Sequence, residues 1–444
     1  MSKKLVKKKA SSVVSLAEVS AKRKRIRKDF FVGVIVAIIL LLIKSQLEKT
    51  PFIEQIELLG YNQLQWQLSS RFNADDFPIQ IVDISDLVAM PTPGAATPVT
   101  PRDRLFDLLK GIADQKPLVI GVDIDFSPNG FGYRDPVNDP KFFADVIGLW
   151  KDPAPKLFLG VADVCKTPHK EWLPDEYNKL AACIVVPNGD DRKMLKWIKI
   201  GASEQGPMMC AALAGERARS GSKAWWWPSW ALKASRVKEL SDGASAEAFL
   251  VDYSPVKTLE HDKLSTISGQ SAKEEGRRFK GKIVLVGDAT VSKASAGDMF
   301  PIPGRPWDIY PGIYVHACAA YTLIRDPLYE LTSCGRIVLD LLLAMGVIGS
   351  VAAIRMFYAR THWTVATHRL MSVFTGIVAI AVLFGGLALV RFAGILWDDF
   401  LVVLIVLLLH PKIEKYTAAF IEWALKTMPA AWRRFIFIRE GKTH

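Results

Sequence analysis

The sequence predicts an α/β domain, built on a mainly parallel sheet with helices on both faces, and joined to a region of four membrane helices. Three observations carry this. Long apolar stretches sit near both ends of the 444-residue chain, at Phe30–Ile43, Ile337–Ile354, Leu370–Val390 and Phe392–Leu409. Between them lies a polar region whose strands read as unbroken apolar runs between helical stretches, the pattern of a parallel sheet covered on both faces. Positive charge, finally, collects in the pieces that a single orientation places in the cytoplasm.

The membrane segments come first. Residues 1–28 carry 11 Lys/Arg and one acid, Glu18, and run straight into Phe30–Ile43. That core is short, but Lys28 and Lys44 can snorkel and Ser45–Leu47 add depth. The following KSQLEKTPF offers no small-x-small cleavage site, so the segment reads as an uncleaved anchor. With the N-terminus inside, residues 1–28, 355–369 and 411–444 are cytoplasmic and hold 21 Lys/Arg against 4 acids. The remainder is then net negative although the whole chain is +12. The basic balance is thus a topology signal, and a nucleic-acid partner is not expected. The expected division is a basic N-terminus (1–29), a first span (30–47), an outer domain (48–332), three further spans (333–410) and a basic amphipathic tail (411–444) on the inner leaflet. This is a multi-pass inner-membrane arrangement with both termini cytoplasmic.

Within the outer domain, residues 51–71 read as one or two stalk helices with Gly60 a potential break. Ile79–Ile84 is a buried strand and Met90–Thr100 a loop. Thr100-Pro101 opens a helix through Ala113, with Thr100 as N-cap. Strands follow at Pro117–Phe126, Lys156–Asp163, Ala182–Pro187, Ala248–Tyr253 and Lys282–Asp288. Helices are expected at Val137–Leu149, Pro207–Arg219 and Pro311–Ile324.

Several patterns carry potential chemistry. GRRFKGKI (Gly276–Ile283) matches a Walker pattern except at Ile283, but it precedes a strand where a phosphate loop must follow one. Carboxylates gather at strand ends: Asp83 and Asp86, Asp123 and Asp125, Asp288 and Asp298. Such ends are where open α/β sheets bind ligands, and several acids can hold a divalent cation; the same residues also serve as turn and helix caps. No GxSxG, HExxH or CxxC motif supplies a nucleophile or metal cage, so no enzyme activity and no cofactor is expected. His316 reads as a packed, satisfied core histidine. Trp225, Trp226, Trp227 and Trp230 form a cluster suited to a ligand pocket, a partner surface or simple packing. In an oxidising compartment Cys165 and Cys183 are expected to pair. The small-xxx-small pairs Gly346/Ser350 and Gly349/Ala353 suit bundle contacts or a homo-oligomer. Asp340, one turn from Arg336, reads as half of a structural ion pair rather than a proton relay.

The stretches IQIVDIS, TPRDRLFDLLKGI, KPLVIGVDIDFSP, GKIVLVGDAT, the D-x-F-P of Asp298–Pro301 and PGIYVHACAAYTLI, in this order and between these helices, resemble the CHASE2 family over about residues 50–330. The resemblance implies an extracytoplasmic sensor domain after one anchor, followed by three helices, with no catalytic residues of its own. Relatives normally continue into a cytoplasmic effector. Here about 34 residues follow the last helix, fewer than a folded effector needs. The resemblance therefore implies a sensor that signals to a separate cytoplasmic or membrane partner. The rival expectations are a constitutive envelope scaffold and an extracytoplasmic metal-dependent hydrolase using Asp83, Asp123, Asp125 and Asp288.

Overall fold

The computed structural model describes residues 34–36, 38–39, 42–46, 50–69, 77–87, 99–126, 135, 137–150, 156–162, 180–184, 193–195, 197–200, 204–218, 232–234, 248–256, 259, 266–269, 278–290, 299–302, 305–324, 329–361, 366–397 and 400–427. In chain order its first elements are α1 (Pro51–Ser69), β1 (Ile79–Asp83), α2 (Arg102–Asp114), β2 (Val119–Asp123), α3 (Asp139–Leu149), β3 (Lys156–Val161) and β4 (Ala181–Cys183). Then come β5 (Lys193–Leu195), β6 (Trp197–Ile200), β7 (Glu204–Pro207), α4 (Met209–Ala218), β8 (Leu232–Ala234), β9 (Ala248–Leu250), β10 (Thr266–Ser268) and β11 (Ile283–Gly287). The last are β12 (Met299–Ile302), β13 (Arg305–Pro311), α5 (Gly312–Ile324), β14 (Tyr329–Leu331), α6 (Ser333–Thr361), α7 (Ala366–Ala388), β15 (Ile395–Leu396) and α8 (Phe400–Thr427).

The chain divides into two units. One comprises residues Met1–Gly60, Ser333–Gly386 and Asp398–His444; the other comprises Tyr61–Thr332 and Leu387–Trp397.

In the second unit, six strands form one sheet in the order β10-β1-β11-β2-β3-β4, and every pairing is parallel. The predicted parallel α/β core is therefore present. Alternation along the strands sends side chains to opposite faces. Ile79, Ile81, Ile283 and Leu285 join the core under α4 and α5; Val82, Val284, Val286, Ile120 and Val122 join the core under α2 and α3. Both faces are covered, which is why the strands read as continuous apolar runs. Helix α2 buries Leu105, Leu108, Leu109 and Ile112, one stripe at helical spacing. Each such burial contributes about 1.5–3 kcal/mol. Gly160 is fixed by closeness: a Cβ there would stand 2.5 Å from the Ile124 carbonyl oxygen.

Several expectations need correction. Gly60 does not break α1, which runs as one helix. Helix α2 begins at Arg102, so Pro101 occupies the cap position and no side chain caps the turn; the Leu105 amide bonds the Pro101 carbonyl at 3.0 Å instead. The strand expected over Pro117–Phe126 is only Val119–Asp123, because Lys116 turns with φ 58° before it and the chain leaves the sheet after Asp123. The short strand β10 and the hairpin β12–β13 were not foreseen. Nor was a small sheet in which β14 pairs with β8 and with β15, drawn from the chain between α7 and α8.

In the first unit, residues 34–36, 38–39 and 42–46 are helical, as are α6, α7 and α8. Two stretches, Ser333–Ser350 and Gly376–Ala393, are long and apolar enough to cross a membrane among the described residues. Large apolar side chains face outward: Ile337, Leu342 and Met345 on α6, Val373, Ile377, Ile380 and Phe384 on α7. Helix α8 runs unbroken through Pro411 to Thr427, so the expected boundary at 410/411 falls inside one helix. Asp340 accepts an ion pair from Lys44 at 2.5 Å, with both side chains nearly buried. This corrects the expectation that Lys44 snorkels and adds a distant partner to the one, Arg336, that spacing offered.

The pairs Gly346/Ser350 and Gly349/Ala353 are expected to serve bundle or dimer contacts. At Gly346 and Gly349 an added Cβ would meet nothing within 4 Å, and both glycines are exposed. Ser350, on the same helix, is half-buried; Ala353 belongs to α6 as well, but its side chain lies outside the described residues. At Gly386, by contrast, an added Cβ would meet Phe400 at 3.2 Å. Within this chain Gly386 is thus a place of close helix approach, where the Phe400 ring leaves little room for a side chain.

Candidate functional site

The register of the sheet puts the end of β1, β11 and β2 in one row: Asp83 opposite Gly287, and Gly287 opposite Asp123. The two carboxylates flank a glycine across two strand spacings, about 9.5 Å between Cα atoms. Gly287 is required in the middle, since a Cβ would stand 3.0 Å from the Asp123 Cβ and from Ile313. Strand ends alone could not reveal this row; it depends on β11 entering between β1 and β2 although it comes last in the sequence.

Most of the acids already hold protein groups. Asp83 Oδ1 accepts from the Ser85 amide at 3.1 Å and the Ala289 amide at 3.0 Å, and its Oδ2 accepts from Ser85 Oγ at 2.8 Å. It thereby ties the loop after β1 to the loop after β11. Asp125 Oδ1 accepts from the Ala162 amide at 3.0 Å, tying the ends of β2 and β3. Asp86 Oδ2 accepts from Ser268 Oγ at 3.0 Å, tying β1 to β10. Asp288 Oδ1 accepts from the amide and hydroxyl of Thr290 at 2.9 and 2.6 Å, a local turn. Asp298 lies outside the described residues.

Asp123 differs. No side-chain hydrogen bond holds it among the described residues, and it is only partly exposed. Burial pushes its carboxyl up from 3.8 to about 7. Near neutral pH this one acid exchanges between a charged acceptor and a neutral group that can also donate. Among the described residues no three His, Cys, Asp or Glu side chains stand close enough to hold a metal ion.

His316 Nε2 lies 2.9 Å from the Ile184 carbonyl oxygen, and the ring is buried in the core under α5. Cys183, Cys210 and Cys318 are buried. Burial raises the Cys210 thiol to about 12, with the nearby Cys183 adding to it, and burial followed by Asp252 raises Cys318. Such thiols are poor nucleophiles. Cys165, the partner expected for Cys183, and the tryptophans 225–227 and 230 lie outside the described residues. The Walker-like stretch ends in a turn with Gly281 at φ 69° and runs into β11, so no phosphate cradle opens a helix there.

One buried ion pair escaped the sequence reading. Arg102 Nε donates to Asp139 Oδ1 at 2.7 Å, and its guanidinium lies 4.9 Å from the Phe126 ring centre. Asp139 Oδ2 also accepts from the Asp135 amide at 2.8 Å. This network joins the first residues of α2 and α3. Its only trace in the sequence is a charge at each helix start, a common surface pattern.

No curated protein and no solved structure gives a significant match to the chain. The CHASE2 domain family matches residues 33–351, from the first apolar segment into α6, with the acid row of the sheet inside it. The chain belongs to the CHASE2 domain family.

Proposed function

We propose that the protein is an integral membrane sensor whose outer CHASE2 domain detects a ligand or an envelope state and hands that state through four membrane helices to a separate partner. The observation that carries it is the family match over 33–351, because CHASE2 is an extracytoplasmic sensor family rather than a catalytic one. Three features support the membrane part. Helices α6 and α7 present apolar side chains outward, as lipid-facing helices do. The chain runs out of the second unit into α6 and re-enters it after α7, where β15 pairs with β14. The 21-to-4 excess of Lys/Arg over acids in residues 1–28, 355–369 and 411–444 favours the cytoplasm for these pieces.

In this reading the row Asp83–Gly287–Asp123 is the ligand edge, with Asp123 as the group left for a ligand. The hydrolase reading fares worse, because Asp83 and Asp125 already hold backbone amides. Reporter fusions at Gly243 and after His444 test the topology. An outer signal at Gly243 and a cytoplasmic one at the C-terminus are expected; a cytoplasmic signal at Gly243 overturns the proposal.

A further inference from the structure

The five residues Leu250–Ser254, at and after the end of β9, have an unusual set of partners. The Leu250 amide donates to Glu330 Oε1 at 3.0 Å. The Val251 carbonyl accepts from Tyr61 Oη and from Gln65 Nε2, the latter at 3.0 Å. The Asp252 amide donates to Thr322 Oγ1 at 2.7 Å. The Tyr253 amide donates to Gln65 Oε1 at 2.9 Å. The Gln65 amide thus does what a neighbouring strand would do, donating to one residue and accepting from another two positions on.

Buried backbone must find hydrogen-bond partners, and a strand would supply them locally. Here polar side chains from two distant places supply them instead. Tyr61 and Gln65 stand on α1, the helix by which the chain arrives from the first apolar segment. Thr322 on α5 and Glu330 on β14 stand on the chain that leaves toward α6. Tyr61, Asp252 and Thr322 are fully buried and Gln65 nearly so. Thr322 Oγ1 in turn donates to the Cys318 carbonyl at 2.8 Å, which fixes its direction. A side-chain hydroxyl or amide held this way tolerates little displacement before the bond is lost.

We infer that Leu250–Ser254 is a coupling joint: it makes the arriving helix and the leaving chain respond together when the outer domain changes state. The inference rests on the sensor reading for its purpose only; the coupling itself exists or not without any ligand. Coupling needs a shared element that both sides bias, and this segment is bonded to both.

Hydrogen exchange on the full chain in lipid nanodiscs tests it. Thr322→Val removes one hydroxyl on the leaving side. Exchange should speed at least tenfold in residues 250–254 and also in 61–69, which Thr322 does not bond. Tyr61→Phe removes one hydroxyl on the arriving side and should speed exchange in residues 320–331. Amides of β2 and β3 should be unchanged in both. If each variant loosens only its own element and the segment, the joint is refuted. Loss of protection across β2 and β3 as well refutes it too, because the segment then merely holds the fold. Failure of the topology fusions would remove the sensor and leave this coupling intact; purely local exchange would remove the joint and leave the topology intact.

Discussion

In the second unit, apolar side chains of the sheet point inward, so that Ile81, Val82, Ile120, Val122, Leu285 and Val286 are all buried. In the first unit they point outward: Leu342, Met345, Ile377 and Phe384 are each more than half exposed, while the charged pair Lys44 and Asp340 lies inside. On the membrane reading proposed above, one chain follows two rules because it answers to two solvents. Water drives apolar surface together. Lipid does not, and there only the polar groups must find one another. The interior contacts that matter should differ accordingly: close packing in one unit, charge matching in the other.

The largest effect tests close packing. At Gly160 a Cβ would press on two backbone oxygens, those of Ile124 and Val122 at 2.5 and 2.8 Å, which cannot swing aside. Gly160→Val should destabilise the second unit by about 4–5 kcal/mol, read as lost exchange protection in β2 and β3. Gly346→Val, on the open face of α6, should leave the monomer's stability unchanged. Should Gly346→Val weaken the protein comparably, another helix sits on that face and the outward rule fails there.

Charge matching comes next. Asp340→Leu leaves Lys44 buried without its carboxylate and should destabilise by about 3 kcal/mol, while Lys44→Met with Asp340→Leu should recover most of the loss. Unfolding in detergent micelles by titrated denaturant measures both. If the double variant is as weak as the single one, the pair fixes helix register rather than merely neutralising charge. Arg102–Asp139 is the contrast within the second unit, since Asp139 there is also held by the Asp135 amide.

Asp123 gives a smaller effect with a definite sign. Its carboxyl is near 7 in the fold against about 3.8 unfolded. The folded state therefore binds more protons between these values, and stability falls as pH rises from about 4 to about 7, then levels. The shift sets an upper bound of about 4 kcal/mol; because the group keeps some solvent contact, about 2 kcal/mol is expected. Asp123→Asn should match wild type at pH 4 and exceed it by that amount at pH 8. Equal stability of the two proteins at both pH values would show that the carboxyl is not held in its neutral form.

How far the sequence disclosed this depends on range. The apolar runs around Ile81, Val122 and Leu285 identified the sheet because period and burial are local properties. The Leu105–Ile112 stripe identified α2 in the same way. What stayed hidden was pairing over long separations. Nothing local says that β11 enters between β1 and β2, so the acids were found but not the row through Gly287. Lys44 and Asp340 are 296 residues apart, and Gln65 sits on an ordinary-looking helix 188 residues from the Tyr253 amide it accepts from. Short strands such as Thr266–Ser268 and Ile395–Leu396 are too brief to show a period at all.

The smallest expected effect concerns a polar side chain buried among apolar ones in the second unit. Gln80 lies on β1, opposite Val284, and is completely buried. It shares the face of Val82, under α2 and α3, where every other strand side chain in that core is apolar. Among the described residues neither its Oε1 nor its Nε2 has a hydrogen-bond partner. An unsatisfied buried amide costs about 1–3 kcal/mol. Methionine has nearly the same length and flexibility without the polar atoms, so Gln80→Met should raise stability by about 1 kcal/mol with no repacking. Thermal unfolding of the full chain measures it, and Leu108→Ala, which opens a cavity on the same face, sets the opposite sign as a control. A melting temperature that falls with Gln80→Met would mean that the amide is satisfied in solution by a group reaching into this core. The Gln80 amide would then join Arg102–Asp139 and the Gln65 and Thr322 contacts as a polar group that the second unit keeps satisfied inside, and close packing would not be that unit's whole interior rule.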